Sequence, residues 1–169
     1  MGAGQGTPAT GGGSANINDN ALPQVRGLGV TATETVGTVV ADNATILGYL
    51  EQSVYEVERR LNGGYTVTED SGLYTLAPDP GATSDLWNVL AHCAIKILRD
   101  AQYHEELGLM GGASAISDQV TRVSRIETIK SRRESARLAN AAYIMARAAY
   151  STAGTVSMER LGLREDMPS

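Results

Sequence analysis

Apolar residues form their first clear pattern between positions 42 and 62. Leucine, isoleucine and valine recur there at steps of three and four, which places them on one stripe of a helix. The members of this stripe are Ile46, Leu47, Leu50, Val54, Val57 and Leu61. Asp42 or Asn43 is suited to cap the start, and Gly63 is suited to end the helix in a left-handed conformation. The pattern predicts an amphipathic helix over residues 42–62.

A second helix is predicted over residues 84–107, with Ser84 as its cap and Gly108 as its end. Its apolar residues cover more than half of the helix circumference. A helix of this kind is central, or it packs on one side against its own domain and on another against a neighbour. We expect Leu90 and Ile97 to belong to the core.

Two further segments precede the second helix. Residues 30–40 are rich in threonine and valine, which favours an extended arm over a short first helix. In the connector over residues 63–83, Pro78, Pro80 and Gly81 exclude a helix. The segments YTV and LYTL flank EDSG in this connector, and they predict a small β-hairpin.

The segment from Asp118 to Tyr150 changes character twice. Its first part, DQVTRVSRI, reads as a strand or ribbon without a clean buried face. A third helix is predicted over residues 127–152, with Gly154 as its end. Alanines recur along it at steps of three and four, so we expect this face to lie against another helix. These alanines are Ala136, Ala139, Ala142, Ala146 and Ala149.

The two ends of the chain are mostly polar. Residues 1–27 have almost no apolar content, so we expect an extended glycine-rich arm outside the core. A neighbouring subunit or partner would hold this arm in place, or it is pinned to its own domain. Residues 155–169 are expected to be a docking tail. Residues 28–154 would then form an all-α domain with a three-helix core, a small β-hairpin or extended ribbon, and long extended tails at both ends.

The chain is acidic overall, with a formal net charge of −5, but one segment is basic. Between Arg122 and Arg147 there are seven basic and two acidic residues, a net charge of +5, so the remainder carries −10. Cations near the start of a helix oppose its dipole, which indicates an external anionic partner. Acidic side chains of another subunit and phosphates both fit, and a solvated face is the remaining alternative. No aromatic residue interleaves with these arginines, so stacking on nucleic-acid bases is not expected.

Signals for catalysis, cofactors and metals are weak. The segment GLGVTA at residues 27–32 has the form G-x-G-x-x-A, but it lacks a strand–turn–helix context. On a helix, His92 and Cys93 would point about 100° apart, and with His104 three turns away they do not make a zinc site. We therefore expect that the protein is not an enzyme and that it has no catalytic residues, no cofactor and no metal. The longest apolar stretch is far short of the roughly 20 residues that a membrane span needs, so no membrane partner is expected.

The order of these parts resembles the head–tail adaptor, or connector, proteins of tailed bacteriophages. The resemblance covers residues 40–150. It rests on a helix ending EVERRLNG, a longer apolar helix ending RDAQYHEELG, the link ISDQVTRVSRI and a basic third helix. It implies a dodecameric ring beneath the portal protein, with tail or nozzle proteins bound below. DNA would pass through the channel without sequence-specific recognition. Such a protein is assembled in the host cytoplasm and resides at the head–tail junction of the virion.

Ten residues are the expected subunit or portal interface. They are Arg122, Arg125, Lys130, Arg132, Arg133, Arg137, Met158, Leu161, Leu163 and Met167. The main alternative is a DNA-binding packaging or regulatory protein that uses residues 122–137 on phosphates. The two functions differ in their response to salt, because a DNA binder loses affinity steeply as salt rises. A ring held largely by apolar contacts would survive.

Overall fold

The computed structural model describes residues 13–36, 39–61, 63–112 and 119–160. Most of these residues are helical, and a small three-stranded antiparallel sheet accompanies the helices. In chain order the elements are β1 (Ala15–Asn16), α1 (Ile17–Asn20), α2 (Leu22–Gly27), β2 (Thr35–Val36), β3 (Val39–Val40), α3 (Asn43–Leu61), β4 (Thr66–Asp70), β5 (Leu73–Ala77), α4 (Leu86–Gly112) and α5 (Gln119–Arg160).

Helix α3 confirms the first helix predicted from the sequence. The Asp42 carboxylate accepts a hydrogen bond from the Thr45 backbone N–H at 2.8 Å, which fixes the first turn. Five residues of the predicted stripe are buried, and Leu61 packs against the core from its margin. The left-handed residue after the helix is Gly64, with φ 77°, so the expectation for Gly63 is wrong by one position.

Helix α4 is the central element. The Ser84 hydroxyl accepts a hydrogen bond from the Leu86 backbone N–H at 3.1 Å, as expected of the cap. Leu90 is buried, whereas Ile97 is half-buried and packs against the core. The predicted end at Gly108 is wrong, because α4 continues to Gly112. An interior glycine costs a helix roughly 1 kcal/mol, so a single glycine weakens a helix without ending it.

Helix α5 replaces the strand that was predicted over residues 118–126. It begins at Gln119. Ile129 is buried, whereas Val123 and Ile126 are exposed. The apparent two-residue alternation was therefore misleading, and the contact with α4, which is the most extensive in the molecule, decides the local structure. The helix also passes Gly154 and ends at Arg160, so the predicted end is wrong as well.

Only some of the alanines of α5 lie against another helix, as the sequence predicted for all five. Ala136 is buried, and Ala146 packs against the core. Ala149, in contrast, is exposed. The close approach of α5 to α4 therefore uses part of the predicted stripe, because the helical period moves its last member away from the contact.

Residues 15–27 belong to the core, so the prediction of an extended arm is wrong for this stretch. Ile17, Ala21 and Val25 recur every fourth residue, and all three are fully buried. The predicted boundary at residue 27 therefore falls within the packed region. Residues 1–12 of the predicted arm lie outside the described residues.

The predicted β-hairpin is confirmed by β4 and β5. Its turn is formed by Ser71 and Gly72, both with positive φ, which is typical of the tight turns that join twisted strands. Val67 and Leu76 are paired across the two strands and are buried. Strand β1 adds to the other edge of β5, giving the order β1-β5-β4.

The extended conformation expected for residues 30–40 is confirmed for Thr35–Val36 and Val39–Val40, which pair as β2 and β3 of a second, smaller hairpin, whereas residues 31–34 form a turn. Just before β2, the Glu34 carboxylate accepts a hydrogen bond from the Arg99 guanidinium on α4. The Arg99 Nη1 also donates to Oε1 of Gln102 at 2.8 Å, and Gln102 is fully buried. A charge-assisted network of this kind attaches the small hairpin to the central helix.

Candidate interaction surface on the two long helices

The cations from Arg122 to Arg137, which we call the basic block, lie on the part of α5 that packs against the second half of α4. Arg125 is the most firmly held of them. Its Nη1 lies 3.3 Å from Oε2 of Glu106, whose side chain has only 8 % of its surface exposed. A buried carboxylate requires such a partner, because an unpaired buried charge is strongly destabilising. Arg125 therefore joins the two helices and does not present a free charge to another molecule.

Lys130 and Arg137 pair with acidic neighbours on their own helix. Nζ of Lys130 lies 3.8 Å from Oε1 of Glu127, and Nη2 of Arg137 lies 2.6 Å from Oε2 of Glu134. The hydrogen bond from Arg137 lowers the pKa of the Glu134 carboxyl. Exposed pairs of this kind contribute little to stability, so both cations are readily recruited by a stronger anionic partner.

The remaining arginines of the block have no carboxylate partner within the described part of the chain. Arg122 is exposed. Arg132 is half-buried, and its Nε is buried without a hydrogen-bond partner among the described residues. The Arg133 guanidinium lies 5.9 Å from the centre of the Tyr103 ring, and its Nε donates to the Tyr103 hydroxyl at 3.3 Å. Arg122 and Arg133 are thus the accessible, unneutralised cations of the block.

An open groove of about 430 Å³ lies between α4 and α5 beside Arg133. Its lining consists of Lys96, Asp100, Tyr103, His104, Arg133, Ala136, Arg137 and Asn140. Nζ of Lys96 lies 3.2 Å from the Asp100 carboxylate, so the lining holds three cations against one carboxylate. Cations, a hydroxyl and an amide around one concave surface suit a carboxylate or a phosphate.

Sequence reasoning missed the contribution of α4 to this groove. Lys96, Asp100 and His104 recur every fourth residue and Tyr103 adjoins them, so about two turns of α4 present polar groups along one side. That spacing was a usable signal. The pairing with Arg133 was not, because it depends on how the two helices dock.

A second surface of α5 is apolar, and we call it the apolar strip. It consists of Leu138, Ala141, Ile144, Met145 and Ala148, all of them exposed. Met145 is the extreme case, with 72 % of its surface accessible. At 3.6 residues per turn these side chains share the side of α5 opposite its contact with α4. The alanine spacing predicted a helix contact on α5 but did not distinguish this strip from the side that packs against α4.

The predicted docking tail contributes four apolar residues to the expected interface. Met158 belongs to the last turns of α5, which run to Arg160. Leu161, Leu163 and Met167 lie outside the described residues. Their expected part in a subunit or portal interface stays a prediction.

The histidine and cysteine side chains show ordinary structural surroundings. Burial lowers the pKa of His92 and raises the pKa of the Cys93 thiol. A ring nitrogen of His104 lies 2.7 Å from the backbone oxygen of Asp100. Within the described ranges, no three His, Cys, Asp or Glu side chains are arranged to hold a metal ion.

Comparison of the chain with protein-family models, curated proteins and solved structures finds no match. Among the described helices, none combines the length and the apolar character that crossing a membrane would require.

Proposed function

We propose that the chain is a structural subunit of a bacteriophage neck. Copies would form a ring, dodecameric by the resemblance, that joins the portal protein to tail or nozzle proteins. The ring would surround the channel through which DNA passes, at the head–tail junction of the virion. The order of the parts supports this proposal, with an amphipathic helix, a small hairpin, a long apolar helix and a basic helix in succession.

The second apolar face of α5 is the observation that carries the assembly part of the proposal. One side of α5 packs against α4 through Ala136 and Tyr143, which are buried. The other side exposes the apolar strip, including Leu138, Ile144 and Met145. Contiguous exposed apolar surface marks a protein contact, and small residues such as alanine allow another helix to approach closely.

The distribution of charge supports contact between copies. The basic span of α5 carries +5 and the remainder of the chain −10. Acidic side chains are exposed at the hairpin turn, where Asp70 accepts from the Ser71 hydroxyl and Glu69 from the Gly72 backbone N–H. Opposite potentials on separate surfaces steer identical subunits into a head-to-side arrangement, and they fix its register more than its affinity.

Native mass measurement of the full chain, alone and with the portal protein, tests the proposal. We expect a ring of about twelve copies, the number that the resemblance implies, because identical subunits form closed cyclic assemblies. Met145→Glu should reduce assembly, because it places a charge in the centre of the apolar strip. Tyr55→Glu is the matched control, since Tyr55 is an exposed apolar side chain on α3 with 53 % accessibility.

Two results would contradict the proposal. One is a chain that stays monomeric at all concentrations and also in the presence of the portal. The other is a Met145→Glu variant that assembles as completely as the parent and the Tyr55→Glu control. Thermal melting of each variant separates a lost contact from a lost fold.

The groove on α4 and α5 favours one alternative function, which is DNA binding through phosphates. Lys96 and Arg133 line it together, and Arg122 is exposed on the same helix as Arg133. For that function, the logarithm of affinity should fall with the logarithm of salt by about 0.9 for every phosphate neutralised. Assembly that persists from low to high salt, together with weak DNA binding, would favour the ring.

A further inference from the structure

A partly enclosed cavity lies on the side of the molecule away from the basic block. Its volume is about 170 Å³. The walls come from α3, α4, the hairpin and α5, and they consist of Val54, Val57, Glu58, Leu61, Gly63, Tyr65, Leu76, Leu86, Leu90 and Tyr150. A cavity of about 150 Å³ with an aliphatic and aromatic lining is large enough to hold benzene. This one therefore has room for one large aliphatic side chain.

The Glu58 carboxylate at the cavity lacks a hydrogen-bond donor among the described residues. Oε1 of Glu58 is buried and has no hydrogen-bond partner among the described residues. Leaving a buried carboxylate oxygen without a donor is costly. Burial raises the pKa of Tyr65, and its interaction with Tyr150 adds to the shift, so these two hydroxyls engage each other. An occupant with an aliphatic side chain next to a cation would complement the whole cavity.

The sequence offers one matching segment among the stretches that lie outside the described residues. Residues 1–12 have no cation, and residues 113–118 have one isoleucine and an aspartate. Residues 161–169 begin Leu161, Gly162, Leu163, Arg164, which combines two leucines with a guanidinium. Leucine fits the volume of the cavity, and arginine supplies the charge-assisted donor that the Glu58 carboxylate needs.

The length of α5 argues against insertion into the same molecule. The helix runs from Tyr150 at the cavity to Arg160, which carries the chain about 15 Å past the cavity at 1.5 Å per residue. Leu163 follows three residues later and can return by only about 10 Å, because an extended residue spans at most 3.3–3.6 Å. The Cα of Leu163 therefore stays about 5 Å short of the level of Tyr150, which disfavours insertion into its own cavity.

We propose that the cavity is a socket for the segment Leu161–Arg164 of a second copy of this chain. One leucine fills the apolar space, and the Arg164 guanidinium donates to the Glu58 carboxylate. The contact links each subunit to the next through the end of its longest helix. This inference rests on the proposed assembly of copies and specifies one of the contacts within it.

Cysteine cross-linking between full-length chains tests the socket. Leu61→Cys on the wall is mixed with Leu163→Cys under mild oxidation, and linked pairs are followed on non-reducing gels. Docking raises the effective concentration from micromolar to roughly millimolar, so we expect linking on the order of a thousandfold faster than for undocked thiols. Leu73→Cys replaces Leu61→Cys as control, because Leu73 is an exposed leucine of the hairpin that does not line the cavity.

Charge variants provide an independent measurement. Glu58→Gln should slow linking, because the carboxylate that receives the guanidinium is lost. Glu51→Gln, two turns earlier on the same side of α3, should leave the rate unchanged. If Leu61→Cys melts far below the parent, Tyr150→Cys takes its place on the opposite wall of the cavity.

Three outcomes would overturn the socket. Equal linking rates with Leu61→Cys and Leu73→Cys would show that the cavity does not receive the segment. A Leu61→Cys/Leu163→Cys chain that closes on itself at high dilution, without mixed pairs, would assign the segment to its own cavity. A normal ring mass with no preferred link would overturn the socket and leave the proposed function standing, whereas a permanent monomer would overturn both.

Discussion

Two leucines of the long helices differ in their surroundings. Leu90 on α4 is 1 % exposed and lies within the core, whereas Leu138 on α5 is 54 % exposed and belongs to the apolar strip. Leu90→Ala should lower the free energy of unfolding by about 2–5 kcal/mol, because it removes buried methyl groups and leaves a cavity. Leu138→Ala should change it by less than about 0.5 kcal/mol. Urea denaturation of the two variants makes the comparison, and equal midpoints would contradict the assignment of α4 to the core.

His92 makes stability depend on pH in a defined direction. Burial lowers its folded-state pKa below the ordinary 6.5, so the unfolded chain binds a proton that the folded state resists. Stability is therefore fully present above pH 6.5 and falls as the pH decreases from there towards the folded-state pKa. The Glu56 carboxyl, whose pKa the hydrogen bond from Arg60 lowers from 4.5, acts in a more acidic range.

His92→Gln should flatten the dependence of the urea midpoint on pH between 6.5 and 4.5. His104→Gln serves as control, because it makes the same replacement on the same helix at an exposed position. Parallel slopes for the parent and His92→Gln would show that other groups cause the dependence.

The short helices α1 and α2 make residues 17–27, which the sequence predicted to be part of an extended arm, a portion of the core. Ile17, Ala21 and Val25 pack into the core, and the Asn18 side chain bonds to Gly72 and Tyr74 of the large hairpin. Deleting residues 1–27 should therefore lower the melting temperature and expose apolar surface. Deleting residues 1–12 should leave this packing intact and serves as control. Equal melting temperatures for the two deletions would place residues 15–27 outside the stabilising core.

Helices α3 and α4 and the large hairpin were predictable, because each has a repeated local pattern that agrees with its packing. The start of α5 was not, since Val120, Arg122 and Ser124 suggest a strand while docking of Arg125 and Ile129 on α4 imposes a helix. Residues 15–27 were missed because three apolar residues in a polar stretch form a weak signal. Their four-residue spacing was the part of that signal that mattered.

The candidate surface was predictable only as a list of cations. The sequence identified Arg122 and Arg133, and both are exposed. It did not reveal that Arg125 forms an ion pair with Glu106, or that the Arg133 guanidinium lies over the Tyr103 ring. These pairings depend on the relative position of two helices, which no local pattern encodes.

Across the molecule, the accessible cations and the apolar strip share one helix and serve separate contacts in the proposed ring. A reversal of Arg132 is a poor test of the basic contact, because Arg132 is half-buried and its loss would disturb packing. Arg122 and Arg133 are exposed and have no carboxylate partner within the described ranges. They are the residues whose reversal should affect partners and leave the fold intact.

Arg122→Glu combined with Arg133→Glu should keep the helix content of the parent and weaken attachment to the portal. Attachment of the parent should weaken with salt to a lesser degree than DNA binding would, because apolar contacts remain when exposed charges are screened. The matched control is Arg59→Glu with Arg60→Glu, which changes the net charge equally on α3. Circular dichroism and co-sedimentation with the portal provide the two readouts. Undiminished attachment of the first double variant, or equal loss in both, would show that the position of the basic block on α5 has no part in assembly.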